Sequence, residues 1–127
     1  MHPNKRKADE FEREVVEVAR RYGLEAEREL GAGRRDDRGD VTIHLGPWEK
    51  VTVQARARKE LDLSGAWSKA LTQASNAKAK WAASVHKRRG KNAEAAYCVI
   101  DWGEYCALLR ELVRVKTEND ALWAEDH

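Results

Sequence analysis

No stretch of this chain stays apolar for long. Its hydrophobic runs fall far short of the roughly 20 residues needed to cross a bilayer, so helical membrane spans are excluded. Cysteine is scarce: Cys98 and Cys106 cannot form a disulfide framework, and their spacing suits neither zinc nor redox chemistry. Both are expected as reduced packing residues. A glycine-rich phosphate loop is missing too, because Gly31-Ala32-Gly33 lacks the Gly-Lys-Ser/Thr that completes one. His44 has no His or Cys partner at zinc spacing and reads as a surface or hydrogen-bonding residue. The start, His2-Pro3-Asn4-Lys5-Arg6-Lys7, has no apolar segment behind it, the pattern of a chain without a secretory signal. A cytoplasmic protein without membrane contact is expected.

What the chain does have is charge. Its 127 residues fit one domain over 1–127, with a basic, flexible N-terminus at 1–7 and a polar tail at 117–127. Charged residues make up 36% yet the net charge is only +2, so the distribution decides. From Gln54 to Lys91 ten cations face two anions, Glu60 and Asp62, whereas acids concentrate near Glu10–Glu17 and in the tail. Phosphate would be drawn to the middle and repelled by the ends. Within His86-Lys87-Arg88-Arg89-Gly90-Lys91, four cations in five residues repel one another unless an anion is near.

Periodicity gives an ordered set of elements. Phe11, Val15, Val18, Ala19 and Tyr22 form one helical stripe from about Ala8, closed by Gly23. A weak strand follows over 24–30, then a polar, glycine-rich loop at 31–38. Two alternating segments, Val41–Leu45 and Val51–Arg56, predict an antiparallel hairpin around Gly46-Pro47-Trp48-Glu49. Pairing Thr42 with Gln54 would set Asp40 opposite Arg56, with an acid, an amide and a guanidinium on one face, a candidate site or else a solvated strand face, and Val41, Ile43, Leu45, Val51, Val53 and Ala55 in a core. Ser64 offers an N-cap to a second helix through Trp67, Ala70, Leu71, Ala74 and Ala77, ending near Lys80. A short strand over 81–86, a buried strand over 95–100 and a helix capped by Asp101-Trp102-Gly103-Glu104 complete the order. Trp67 and Trp81 belong to the core, and Trp48 is the better base-stacking candidate. The sequence is thus helix, three strands, helix, strand, strand, helix, an α+β arrangement with helices around a mixed sheet.

That order, with Glu12 in Phe11-Glu12-Arg13, Asp40 in Asp37-Arg38-Gly39-Asp40 and the triplet Gln54-Ala55-Arg56, resembles the PD-(D/E)XK nuclease superfamily. Trp67, Gln73-Ala74 and Val85 to Lys91 add a likeness to the Holliday junction resolvase-like endonucleases of actinobacterial phages. The resemblance covers roughly residues 5 to 113 and implies a restriction-endonuclease-like core. It also implies an Mg²⁺-dependent endonuclease (Mn²⁺ being the alternative ion) that cuts branched DNA as a homodimer, encoded by a phage or prophage. Carried over, the catalytic residues are Glu12, Asp40, Gln54 and Arg56. The metal would be held by Asp40, Gln54, the Ala55 carbonyl and Glu12, all hard oxygen donors suited to Mg²⁺. Arg34, Arg35, Arg58, Lys59, Gln73, Lys87, Arg88, Arg89 and Lys91 would contact DNA. Two positions depart from the pattern. Gln54 keeps an oxygen but loses the charge of the usual acid, and Arg56 cannot act as a general base, since a guanidinium stays protonated. An alternative role follows: a protein of this fold that binds junctions or other DNA without cutting.

Overall fold

A computed structural model describes residues 3–29 and 37–126. Phe11, Val15, Val16 and Ala19 recur at helical spacing and are buried along α1 (Pro3–Arg21). The basic residues expected as a flexible arm therefore enter this helix from residue 3. Gly23 ends it at a positive φ of 82°, its N–H donating to the Arg20 carbonyl at 2.9 Å. Tyr22 lies off the buried stripe and donates its hydroxyl to Glu94.

Five strands follow the spatial order of the chain: β1 (Glu25–Arg28), β2 (Val41–His44), β3 (Lys50–Arg56), β4 (Trp81–His86) and β5 (Tyr97–Val99). All neighbours are antiparallel except β3 and β4, which run parallel and are joined by the crossover helix α2 (Leu63–Ala77). Parallel strands require such a crossover. Asp62, not Ser64, caps α2, accepting the Gly65 N–H at 3.0 Å. The mixed α+β architecture is the one the sequence predicts.

The two sheet faces differ in chemistry. Against α1 lie Val41, Val53, Ala55 and Ala26, with the almost fully buried Phe11 at the centre. Burying that ring is worth roughly 1.5–3 kcal/mol. Against α2 the apolar contact is only Ala70, Ala74 and Ala82, with Trp67 and Ala79 half-buried beside them. The rest of that face is polar: Thr42, Thr52, Gln54, Ser84 and His86 are all buried. The polar side of the hairpin is therefore roofed by α2, which corrects the alternative of a solvated face.

The hairpin register also differs from the expected one. Thr42 pairs with Thr52 and His44 with Lys50, because the Leu45 N–H donates to the Glu49 carbonyl and closes a loop two residues shorter than the expected pairing implies. A two-residue slip keeps every side chain on its face. It places Asp40 beside Gln54, where the Asp40 N–H donates to the Val53 carbonyl at 3.1 Å.

β5 forms the edge of the sheet, so Tyr97 and Cys98 are exposed rather than buried; Cys106 is exposed too, and both thiols are free. The expected cap of α3 (Trp102–Asp126) is present: Asp101 Oδ1 accepts the Glu104 N–H at 2.7 Å. The helix absorbs the residues expected as a tail and runs about 37 Å. Its first turns meet the body through Glu104, which accepts the Ala82 N–H, and Asp101, which accepts the Trp67 indole N–H. Beyond them Leu112, Val115 and Leu122 are exposed. Among the described residues no helix is long and apolar enough to cross a membrane.

Candidate functional site

The parallel pair β3 and β4 ends at one place, and the polar residues of both strands gather there. Gln54 pairs with Ser84 and Arg56 with His86, and the Lys87 N–H donates to the Arg56 carbonyl at 2.9 Å. Asp40, immediately before β2, reaches across to accept the Ala55 N–H on Oδ2 at 2.9 Å. Burial pushes its carboxyl above the usual range, against the opposing pull of that N–H and of Arg56. Glu12 approaches from α1, and burial followed by the Asp40 charge raises its pKa as well. Arg28 lies 3.8 Å from Glu12 but closer, at 3.2 Å, to Asp9. The fold thus brings Glu12, Asp40, Gln54 and Arg56 together from three chain segments, α1, the approach to β2, and β3.

Gln54 is the unusual member. It is fully buried; its Nε2 donates to Ser84 Oγ at 3.4 Å, and that oxygen lies 2.8 Å from His86 Nε2. Its carbonyl Oε1 has no hydrogen-bond partner. A buried acceptor left unpaired costs about 1–3 kcal/mol, so the site is built with an unmet demand. His86 has a lowered pKa, through burial first and the Arg56 charge second, and is a neutral imidazole near pH 7. Sequence reading grouped His86 with the basic run and passed over Ser84. The signal that could have found both was the small-polar alternation Ala82, Ser84, His86 along β4.

Asp37 has a structural role that sequence reading also missed. Burial would push its carboxyl up, but the Gln73 amide at 2.8 Å and the Gly39 N–H at 3.0 Å outweigh that and hold it below the usual range. Asn76 Nδ2 donates to its main-chain carbonyl at 2.7 Å. The approach to Asp40 is therefore stitched to α2. Gly39 is obligatory in this stitch, because its φ is +91° and a Cβ would stand 2.5 Å from Thr52 Cγ2.

Cations surround the cluster. A cleft of about 240 Å³ is lined by Gln54, Arg56, Arg58, Lys69 and His86, with the acids Glu60 and Asp62, just before α2, also in its wall. A groove of about 600 Å³ runs beside it between Lys5 and Lys7 of α1 and Arg56, Arg58 and Lys59. Of the residues expected to contact DNA, Arg58 and Lys59 are exposed there, and Lys87, Arg89 and Lys91 are exposed on the loop after β4. Arg88 instead stacks its guanidinium 4.7 Å from the Tyr97 ring. Gln73 is buried in its contact with Asp37, and Arg34 and Arg35 lie outside the described residues. Among the described residues no three acids, histidines or cysteines come close enough to hold a metal ion. The oxygen donors are two carboxylates and one amide.

No family model and no curated protein matches the sequence at a significant level. The structure is similar to that of Archaeoglobus fulgidus Hjc, a Holliday junction resolvase from an archaeal hyperthermophile, with a TM-score of 0.50. The two share 19% identity over 77% of this chain and 89% of that one. The fold is restriction-endonuclease-like. Within that restriction-endonuclease-like frame, Glu12, Asp40 and the β3 triplet occupy one neighbourhood at the end of the parallel strand pair.

The raised carboxyls make stability depend on pH. A group whose folded pKa exceeds its unfolded value favours the fold below the unfolded value, 3.8 for Asp40 and 4.5 for Glu12, and loses that contribution as pH rises through the elevated folded value. Glu12→Gln is therefore expected to raise the Tm at pH 7 and to bring little gain near pH 4, measured by calorimetry. A lower Tm at pH 7 would mean that the Arg28 attraction outweighs burial.

Proposed function

We propose that this protein is a divalent-metal-dependent endonuclease of the Holliday junction resolvase type, cutting phosphodiester bonds in branched DNA. The observation that carries the reading is the unpaired, buried carbonyl of Gln54, the residue that the strand register sets next to Asp40, at a cleft whose lining includes Arg56, Arg58 and Lys69. An oxygen acceptor left without a donor at this point suits a hard cation. Asp40, Gln54 Oε1, the Ala55 carbonyl and Glu12 would hold Mg²⁺ or Mn²⁺, less tightly than a site with three carboxylates. When bound, such an ion supplies an activated water and offsets charge building on the phosphate.

The chain's own residues would do the rest. Arg56 cannot take a proton but donates two parallel hydrogen bonds to a phosphate. Arg58, Lys59 and Lys69 draw the backbone into the cleft. Glu12, reaching the site from α1 near Asp40, would complete the pair of carboxylates that hold the ion. Symmetric cutting of a four-way junction calls for two such sites related by a two-fold axis, so the acting form is a homodimer. Origin in a phage or prophage, acting in the host cytoplasm, belongs to the same reading.

The test uses a labelled four-way junction and a matched linear duplex, with Mg²⁺, Mn²⁺ or EDTA. The expected result is metal-dependent cleavage of the junction in preference to the duplex. Tight junction binding without products by the folded protein would replace the nuclease with a DNA binder.

A further inference from the structure

The opposite end of α2 carries a second groove that the phosphodiester chemistry does not use. Trp48 sits on the β2–β3 loop with 93% of its surface exposed. So large an apolar ring left in water has no packing role. Around it a groove of about 460 Å³ is lined by Arg38, Pro47, Lys50, Asn76 and Lys78. Lys50 and Lys78 have no ion-pair partner among the described residues. The acid of this groove, Glu49, is already neutralised by Lys80 at 3.1 Å, and His44 is paired with Glu27 at 2.9 Å. A planar apolar surface beside two uncompensated cations matches a ligand that is itself planar, aromatic and anionic.

The place of the groove narrows the ligand further. Lys50 and Arg56 are on the same face of β3, the face covered by α2. They lie about 20 Å apart along the strand. The candidate cleft meets α2 at Gly65, Ala66 and Lys69, and the second groove meets it at Asn76 and Ala77. Stacked nucleotides rise about 3.4 Å each along a strand, so roughly six nucleotides bridge the two points.

We propose that the Trp48 groove binds an unpaired nucleobase of a DNA strand, the base stacking on the indole and its flanking phosphates meeting Lys50 and Lys78. This rests on the reading that the chain handles DNA, but not on whether it cuts. Stacking tolerates any base, because every base offers a π-face, so the groove recognises absence of pairing rather than sequence.

Binding of a labelled oligothymidylate of about ten nucleotides, followed by anisotropy in EDTA across a salt series, tests the proposal. Trp48→Ala is expected to weaken binding about tenfold with an unchanged salt slope, and Trp48→Phe to recover most of the loss. Lys50→Ala with Lys78→Ala should reduce the slope by about 1.4, roughly 0.7 for each phosphate contact on a single strand. Circular dichroism verifies that the surface variants are folded. Three results would overturn the proposal: no measurable binding of the single strand by the wild-type protein, Trp48→Ala within about twofold of wild type, or a loss confined to the lysine variants. Cleavage of the four-way junction by the wild-type protein in Mg²⁺ is scored separately. The nuclease reading can then stand or fall by itself.

Discussion

Asp40→Ala is expected to abolish metal-dependent cleavage, by at least about 100-fold, since even the outer partners of metal ligands carry about 10- to 100-fold effects. Asp40 has two separable jobs. One carboxylate oxygen accepts the Ala55 N–H and so fixes the start of β2 against β3; the remaining lone pairs belong to the proposed cation. Alanine removes both, and the orphaned Ala55 N–H costs about 1–3 kcal/mol of stability. Asparagine keeps a carbonyl oxygen for that N–H and removes only the charge. Asp40→Asn should therefore lose cleavage as Asp40→Ala does while holding its Tm at or above wild type near pH 7, because it also removes a buried charge. Products persisting in either variant would remove Asp40 from the chemistry.

Gln54→Glu is the second large effect, and it acts on the fold before it acts on the reaction. Gln54 has no exposed surface, and its oxygen has no partner. A carboxylate put there resists ionisation, and a pKa raised as buried acids commonly are destabilises the fold by about 3 kcal/mol at pH 7. The sign follows from linkage: the folded variant holds its proton more tightly than the unfolded chain, so the loss grows as pH rises from about 4 and fades below it. A divalent cation reverses the effect by supplying the missing opposite charge. The variant's Tm should therefore climb with added Mg²⁺ or Mn²⁺ far more than that of the wild type. Coupled with Arg56→Lys it should also gain cleavage. A Tm indifferent to both pH and metal would mean that this oxygen does not face a cation.

The parity of the hairpin was legible in the sequence because alternation is a local property: Val41 and Val53 enter the core, and Thr42, Thr52 and Gln54 share the other face. What covers that other face was not. α2 meets it with Ala70, Ala74 and Gln73, small or amphipathic residues that carry little apolar signal, so a solvated face stayed open for the buried Thr42, Thr52 and Gln54 of the hairpin. Register depended on a single loop hydrogen bond, from Leu45 to Glu49, which no periodicity encodes. The same limit hid His86, whose value comes from lying opposite Arg56 across a crossover. At the site, Glu12, Asp40, Gln54 and Arg56 were named by resemblance, and the fold does bring them together. Asp37 and Ser84 take their place in the site through Gln73 and Gln54, partners distant in sequence, and no pattern near them says so.

The crossover between Arg56 and His86 also has a kinetic side. The hairpin closes over a few residues, whereas pairing β3 with β4 must first close a loop of about thirty residues, and local contacts form before distant ones. During that interval the hairpin shows water Thr42, Thr52 and Gln54 instead of a row of valines. A two-sided apolar hairpin awaiting its helix would be a template for aggregation. The polar row that leaves the finished protein with unmet hydrogen bonds would keep a hairpin formed before α2 docks from being such a template.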